Sequence, residues 1–150
     1  MDAEQKMKAV LAAFPVVVVQ PVQWGEQDSL GHVNNVTYFR WSESARIAYS
    51  LKVGLMDMHK NEGIGPILAS VANDYRRQIS YPDTVHIGVR ITRIGRSSID
   101  MEHKIFSQND HALAAEGTST LVVFDYQTNK SCPVPARIRH AVENLEGRTF

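Results

Sequence analysis

From Ile67 to Tyr126 the chain offers four strand-like segments in succession, separated only by turn-length breaks. No other feature restricts the fold as strongly. Strands that follow one another through tight turns pair antiparallel, because a parallel return needs a crossover of a dozen or more residues. The segments are Ile67 to Ile79, the run around Val85 to Ile91, Ile99 to Ile105, and Leu113 to Tyr126. In the second, Val85, Ile87, Val89 and Ile91 alternate with His86, Gly88, Arg90 and Thr92, the pattern of a strand with one dry and one wetter face. Tyr81-Pro82-Asp83, Gly95-Arg96 and Gln108-Asn109-Asp110 supply the turns, and Thr128-Asn129-Lys130 closes the last strand.

Upstream, Pro15 to Trp24 is rich in valine and reads as a buried strand. Gly25 to Asn35 is dense in Gly, Asp, Ser and Asn, a loop. Helical spacing begins at Val36: Tyr38, Trp41, Ala45 and Ala48 fall on one face. Asn34 or Asn35 suits the N-cap, since its side-chain oxygen can accept a free N–H of the first turn. Gly54 is the natural stop, and Asp57 to Gly65 reads as irregular. A short helix over Pro135 to Leu145 ends the pattern. The order is strand, long helix, four strands, short helix, with no repeat or linker. That predicts a single α+β domain over residues 1–150, one long helix lying against an antiparallel sheet. The helix can cover only part of such a sheet, so an edge or the opposite face is expected to need a partner, giving a homo-oligomer.

Charge excludes some roles. Sixteen Lys and Arg balance sixteen Asp and Glu, which argues against broad binding to nucleic acid or an anionic membrane, where basic excess supplies the affinity. Cys132 is the sole cysteine, so no internal disulfide can form, in keeping with a reducing compartment. Ala9 to Val19 is apolar and follows two lysines. Asp2, Glu4 and Pro15 do not suit a secretion signal, however, and the run is too short to span a bilayer. A cytoplasmic protein is expected.

The chemistry-bearing segment is the loop ahead of the long helix. The first turn of a helix presents free N–H groups and the positive end of its dipole. Such donors can hold the oxyanion formed when a carbonyl is attacked. A carboxylate just ahead of them can activate water or attack the carbonyl itself. Asp28 is the best-placed carboxylate and Glu26 the second. On spacing alone an ordinary turn cap is the simpler role for Asp28.

The residues here also carry a family likeness. Trp24-Gly25-Glu26-Gln27-Asp28, followed by Gly31-His32-Val33-Asn34-Asn35-Val36-Thr37-Tyr38, resembles the opening motif of the 4-hydroxybenzoyl-CoA thioesterase-like family of acyl-CoA thioesterases. Trp41 to Arg46, Tyr75-Arg76-Arg77, Ile94 to Ser98 and Leu121 to Asp125 extend the likeness from Val17 to about Glu143. It implies a hotdog fold, a curled antiparallel sheet wrapped around one long helix, assembled as a homodimer or homotetramer with interfacial active sites. Asp28 matches the catalytic aspartate, nucleophile or general base, and Asn35 the residue whose backbone N–H binds the thioester oxygen. The family often has Asp where this chain has Glu26, which is not the catalytic position.

Other residues fit around that reading. His32 lies four residues after Asp28; in hotdog hydratases an Asp and a His share the work on an enoyl-CoA, but their Asn-Pro motif and spacing are missing here. His32 is therefore expected to order the loop or position substrate. Glu43 is the other carboxylate to weigh, since a second branch of hotdog thioesterases takes its catalytic acid from mid-helix. Flanked by Arg40 and Arg46 at i−3 and i+3, it is expected to form an ion pair rather than to act in catalysis. Asn73 and Tyr75 are candidates for the acyl pocket. Arg96, Ser97 and Ser98 match where the family places coenzyme A contacts, with Arg76, Arg77, Arg90 and Arg93 as possible extensions. The six histidines do not gather at metal-ligand spacing, and no phosphate-binding glycine motif occurs, so no metal or redox cofactor is expected. The expected substrate is an acyl-CoA thioester. The rivals are an enoyl-CoA hydratase and a non-catalytic acyl-CoA-binding domain.

Overall fold

A computed structural model describes all residues, 1–150. The elements run α1 (Ala3–Leu11), β1 (Val16–Pro21), α2 (Asn35–Val53), α3 (Leu55–Glu62), β2 (Ile64–Tyr75), β3 (Thr84–Ile94), β4 (Ser98–Ser107), β5 (Ala112–Asp125), β6 (Lys130–Ser131) and α4 (Ala136–Glu146), with one turn of 3-10 helix at Trp24–Glu26. The five long strands form one antiparallel sheet in the order β1-β3-β4-β5-β2, and β6 adds a short pairing to β5. It is the curled antiparallel sheet with one long helix that the loop-and-helix motif implied.

The alternation in β3 and β4 does what it predicts. Val85, Ile87, Val89 and Ile91 on β3 and Ile99, Met101 and Ile105 on β4 are buried on one face, where α2 lies. From α2 come Tyr38, Trp41, Ala45, Tyr49 and Val53, one stripe of a helical surface. Gly54 ends the helix at φ +89°, a conformation that suits glycine. The tail is pinned to this core by a carboxylate: Glu146 on α4 accepts from the Tyr49 hydroxyl at 2.6 Å and from the Ile91 N–H at 2.9 Å.

Three sequence expectations change. Residues 57–65 are not irregular: Leu55 and Met58, three apart, bury one face of α3 before Gly63 stops it. β2 begins at Ile64 and ends at Tyr75, earlier at both ends than the apolar run suggested. A helix also precedes β1; Asp2 and Gln5 form a capping box around its first turn, and Met7 and Leu11 pack on Phe106.

α1 and Phe14 thus cover one end of the sheet's outer face, Phe14 lying where Gly88 leaves room. Elsewhere that face carries ion pairs such as Arg90–Glu102 and Arg93–Asp100 and needs no cover. The edge is different. β2 pairs only with β5, bulges at Ala69, and leaves Ile67 and Leu68 about two-fifths exposed. Beside it on α2, Val36, Ile47 and Leu51 are also exposed. No helix is long and apolar enough to cross a membrane.

Candidate active site

The loop before α2 is held by its own backbone. The Asp28 N–H donates to the His32 carbonyl at 2.8 Å, and Gly31 returns a bond to the Asp28 carbonyl at 3.1 Å. Gly31 sits at φ +79°, the left-handed conformation this turn requires. The Val33 N–H reaches the Ile79 carbonyl at 2.8 Å and Ser80 donates to Gly31, tying the loop to the segment after β2. The Asp28 carboxylate accepts from the Leu30 N–H at 2.8 Å. Asp28 is therefore a turn cap, but one whose side chain also lines a cavity of about 460 Å³.

That cavity brings Asp28, His32, Asn35, Tyr38 and Tyr75 together. Asn34, not Asn35, is the N-cap; its Oδ1 accepts from the Val36 N–H at 2.9 Å. Asn35 is the first helical residue, and its own N–H donates to no other group of the chain. The residue that carries this free donor, at the positive end of a 19-residue helix, thus lines the same cavity as Asp28. His32 is half-buried there, its ring bonded to no protein group. Tyr75 packs edge-on against Tyr38, with centroids 5.1 Å apart, and its hydroxyl lies 3.4 Å from the Asn35 carbonyl. Burial pushes the Tyr38 hydroxyl up to about 12, so it remains a neutral group at working pH. Arg76 and Arg77 stand at the rim, each beside a carboxylate: Glu116 at 3.2 Å and Asp110 at 3.7 Å.

Asn73 lies deeper. Its Oδ1 is 2.5 Å from His103 Nε2, the two side chains meeting across Gly117 in the strand between them. A Cβ at Gly117 would stand 1.9 Å from the Ala72 carbonyl oxygen. His103 is almost wholly buried, and burial, helped by the nearby Arg46 charge, lowers its pKa to about 4. Sequence reasoning passed over His103; its place on the dry face of an alternating strand was the available signal.

Other expected residues lie elsewhere. Glu26 accepts from the Gln23 N–H at 2.6 Å and does not reach the cavity. Glu43 makes no ion pair with Arg40 or Arg46, because Arg46 turns inward and donates to Ser42 Oγ. Arg96 and Ser97 lie in the turn between β3 and β4, and Ser98 begins β4. One row across the sheet joins Val18, Ile87, Ile105, Ala115 and Tyr75. The Gly95 turn is eight residues farther along β3, roughly 26 Å at strand rise. Within one chain the turn and the Asp28 cavity lie at opposite ends of the sheet.

A model of the thioesterase-like superfamily matches residues 22–142. The chain belongs to the thioesterase-like superfamily. Among solved structures it is similar to a thioesterase of Thermus thermophilus complexed with coenzyme A and zinc, at 34% identity and a TM-score of 0.81, covering 92% of this chain and 98% of that one. A candidate thioesterase of Pseudomonas aeruginosa gives 33% identity and a TM-score of 0.77, covering 86% of this chain and 98% of the other. YsmA of Bacillus subtilis is 34% identical over 82 residues, 55% of this chain. The match spans about half of that curated relative, 54% of its length. The superfamily's hotdog fold is the architecture described above. No three His, Cys, Asp or Glu side chains of this chain gather where they could hold a metal ion.

Proposed function

We propose that this protein hydrolyses an acyl-CoA thioester to the free acid and coenzyme A. The observation that carries the reading is the shared cavity of the Asp28 carboxylate and the unpartnered Asn35 N–H at the start of α2. A thioester carbonyl placed with its oxygen on that N–H gains stabilisation as it becomes an oxyanion. Asp28 then removes a proton from a water that bonds to the carbonyl carbon, or attacks that carbon directly to give an anhydride that water opens. In either case the C–S bond breaks and coenzyme A leaves as a thiolate that takes up a proton from water. His32 orders the loop and the thioester from the cavity wall.

The coenzyme A tail extends from this cavity toward basic and hydroxyl groups. Arg96, Ser97 and Ser98 are proposed to hold its phosphates, and the roughly 26 Å separation makes another subunit the one that supplies them. The free edge of β2 and the apolar residues beside it on α2 favour a homodimer closed through that edge, with a homotetramer as the larger alternative. A CoA-dependent enzyme with a single cysteine fits the cytoplasm.

A second reading, hydration of an enoyl-CoA, has one observation in its favour: His32 and Asp28 line the same cavity. Free thiol separates the two. Incubation with a panel of short, long and aromatic acyl-CoAs should release thiol, and Asp28→Asn should lower kcat by at least about a hundredfold, as loss of a general acid–base group does. Unchanged release by Asp28→Asn would overturn the mechanism, and water addition without thiol would select the hydratase.

A further inference from the structure

Arg46 is spaced for a surface ion pair with Glu43, yet it points the other way. It is 6% exposed, gives Nη1 to Ser42 Oγ at 3.3 Å, and has no carboxylate oxygen within ion-pair distance. The Glu43 charge acts on Arg46 from beyond ion-pair distance, so the buried guanidinium has no anion in direct contact, a disfavoured state unless one reaches it. Arg46 opens onto a cavity of about 200 Å³ between α2 and β2. Glu43 also lines this space, while Ile47, Pro66, Leu68 and Leu121 make apolar walls. Ser119 Oγ and His103 Nδ1 are buried without a hydrogen-bond partner, and His103 feels the Arg46 charge. The polar groups of this region are thus under-satisfied from within the chain.

Position relates this cavity to the proposed active site. Pro66 and Leu68 line it, and Tyr75, seven residues beyond Leu68 on the same strand, lines the Asp28 cavity. If β2 pairs antiparallel with the β2 of a second copy around Ala69 and Ser70, the Pro66 end of one strand falls opposite Asn73 of the other. The Arg46 cavity of one copy then adjoins the Asp28 cavity of its partner. From these features we infer that the Arg46 cavity is the far end of the acyl pocket and receives a carboxylate at the end of an aliphatic acyl group. The substrate class is an ω-carboxyacyl thioester, and the inference presupposes the thioesterase activity proposed above. The planar guanidinium matches a carboxylate through two parallel hydrogen bonds, and the apolar walls suit the methylenes. A coenzyme A phosphate is the poorer occupant, because its bulky nucleotide would have to enter a space of about 200 Å³.

The test compares hexanoyl-CoA with adipoyl-CoA, equal in carbon number and different in the terminal carboxylate. Wild-type kcat/KM from thiol release should favour adipoyl-CoA by about tenfold or more, a factor equivalent to one charge-assisted hydrogen bond. Arg46→Met should bring the ratio near one, with folding checked by circular dichroism. Free adipate should raise the melting temperature of the wild type more than hexanoate does, which decides the matter even if Arg46→Met fails to fold. A wild-type ratio of one or less, a ratio that survives in Arg46→Met, or equal shifts with both acids overturns the inference. Asp28-dependent release from hexanoyl-CoA alongside any of these leaves the thioesterase standing. No release from either thioester overturns the inference, and the panel of short, long and aromatic acyl-CoAs then decides the thioesterase activity separately.

Discussion

His103 makes the stability of this fold depend on pH in a window where most proteins change little. Its ring is buried on β4 beside Asn73 and Arg46, and its pKa falls to about 4 from an ordinary 6.5. The unfolded chain therefore binds a proton at this histidine below about pH 6.5, while the native state refuses it until about pH 4. Stability is full above pH 6.5 and is lost as pH falls through the window between the two values. The whole interval corresponds to about 3 kcal/mol, most of it gone by about pH 4.5. Carboxylates contribute at the acid end, so a difference measurement is needed. Urea unfolding of the wild type and of His103→Gln from pH 7.5 to 4.5 supplies it, since glutamine does not titrate. The wild type should lose about 2 to 3 kcal/mol more than the variant across that range. A difference that stays constant within about 0.5 kcal/mol would refute a neutral, buried His103.

Two further outcomes follow from single contacts. Glu146→Leu leaves the Tyr49 hydroxyl and the Ile91 N–H without their acceptor and should cost about 2–4 kcal/mol in urea unfolding, while Arg148→Ala at the exposed tail should cost less than half of that. Gly117→Ala places a methyl group against the Ala72 carbonyl and the Asn73 side chain. It should part β2 from β5, seen as early amide exchange confined to those strands, and it should lower thioesterase activity through Tyr75; an unchanged exchange pattern would refute the close approach.

Much of this fold is local in origin and therefore legible in the chain. Period-two apolar spacing in β3 and β4, the Asn34 cap, the Gly54 stop and the loop between them depend on neighbours within a few residues. Asp28, His32 and Asn35 were legible as neighbours for the same reason: one loop and one helix start place all three on one cavity. α1 and α3 were harder, because their short apolar stripes take on meaning only against Phe106 and the core.

Long-range pairing decided the rest. Whether Arg46 meets Glu43 on the helix surface or turns inward depends on the sheet beneath α2, not on their spacing. His103 and Asn73, thirty residues apart, meet because β5 places a glycine between them. The same topology sets Arg96 to Ser98 at the far end of the sheet from Asp28 and leaves β2 as a free edge. By itself the sequence determined the strands, the long helix and the loop that leads into it, since hydrophobic period and backbone capping act over single turns. Only the tertiary structure decided which distant side chains share a cavity and which charge is buried, since strand order and register bring together residues that sequence distance keeps apart.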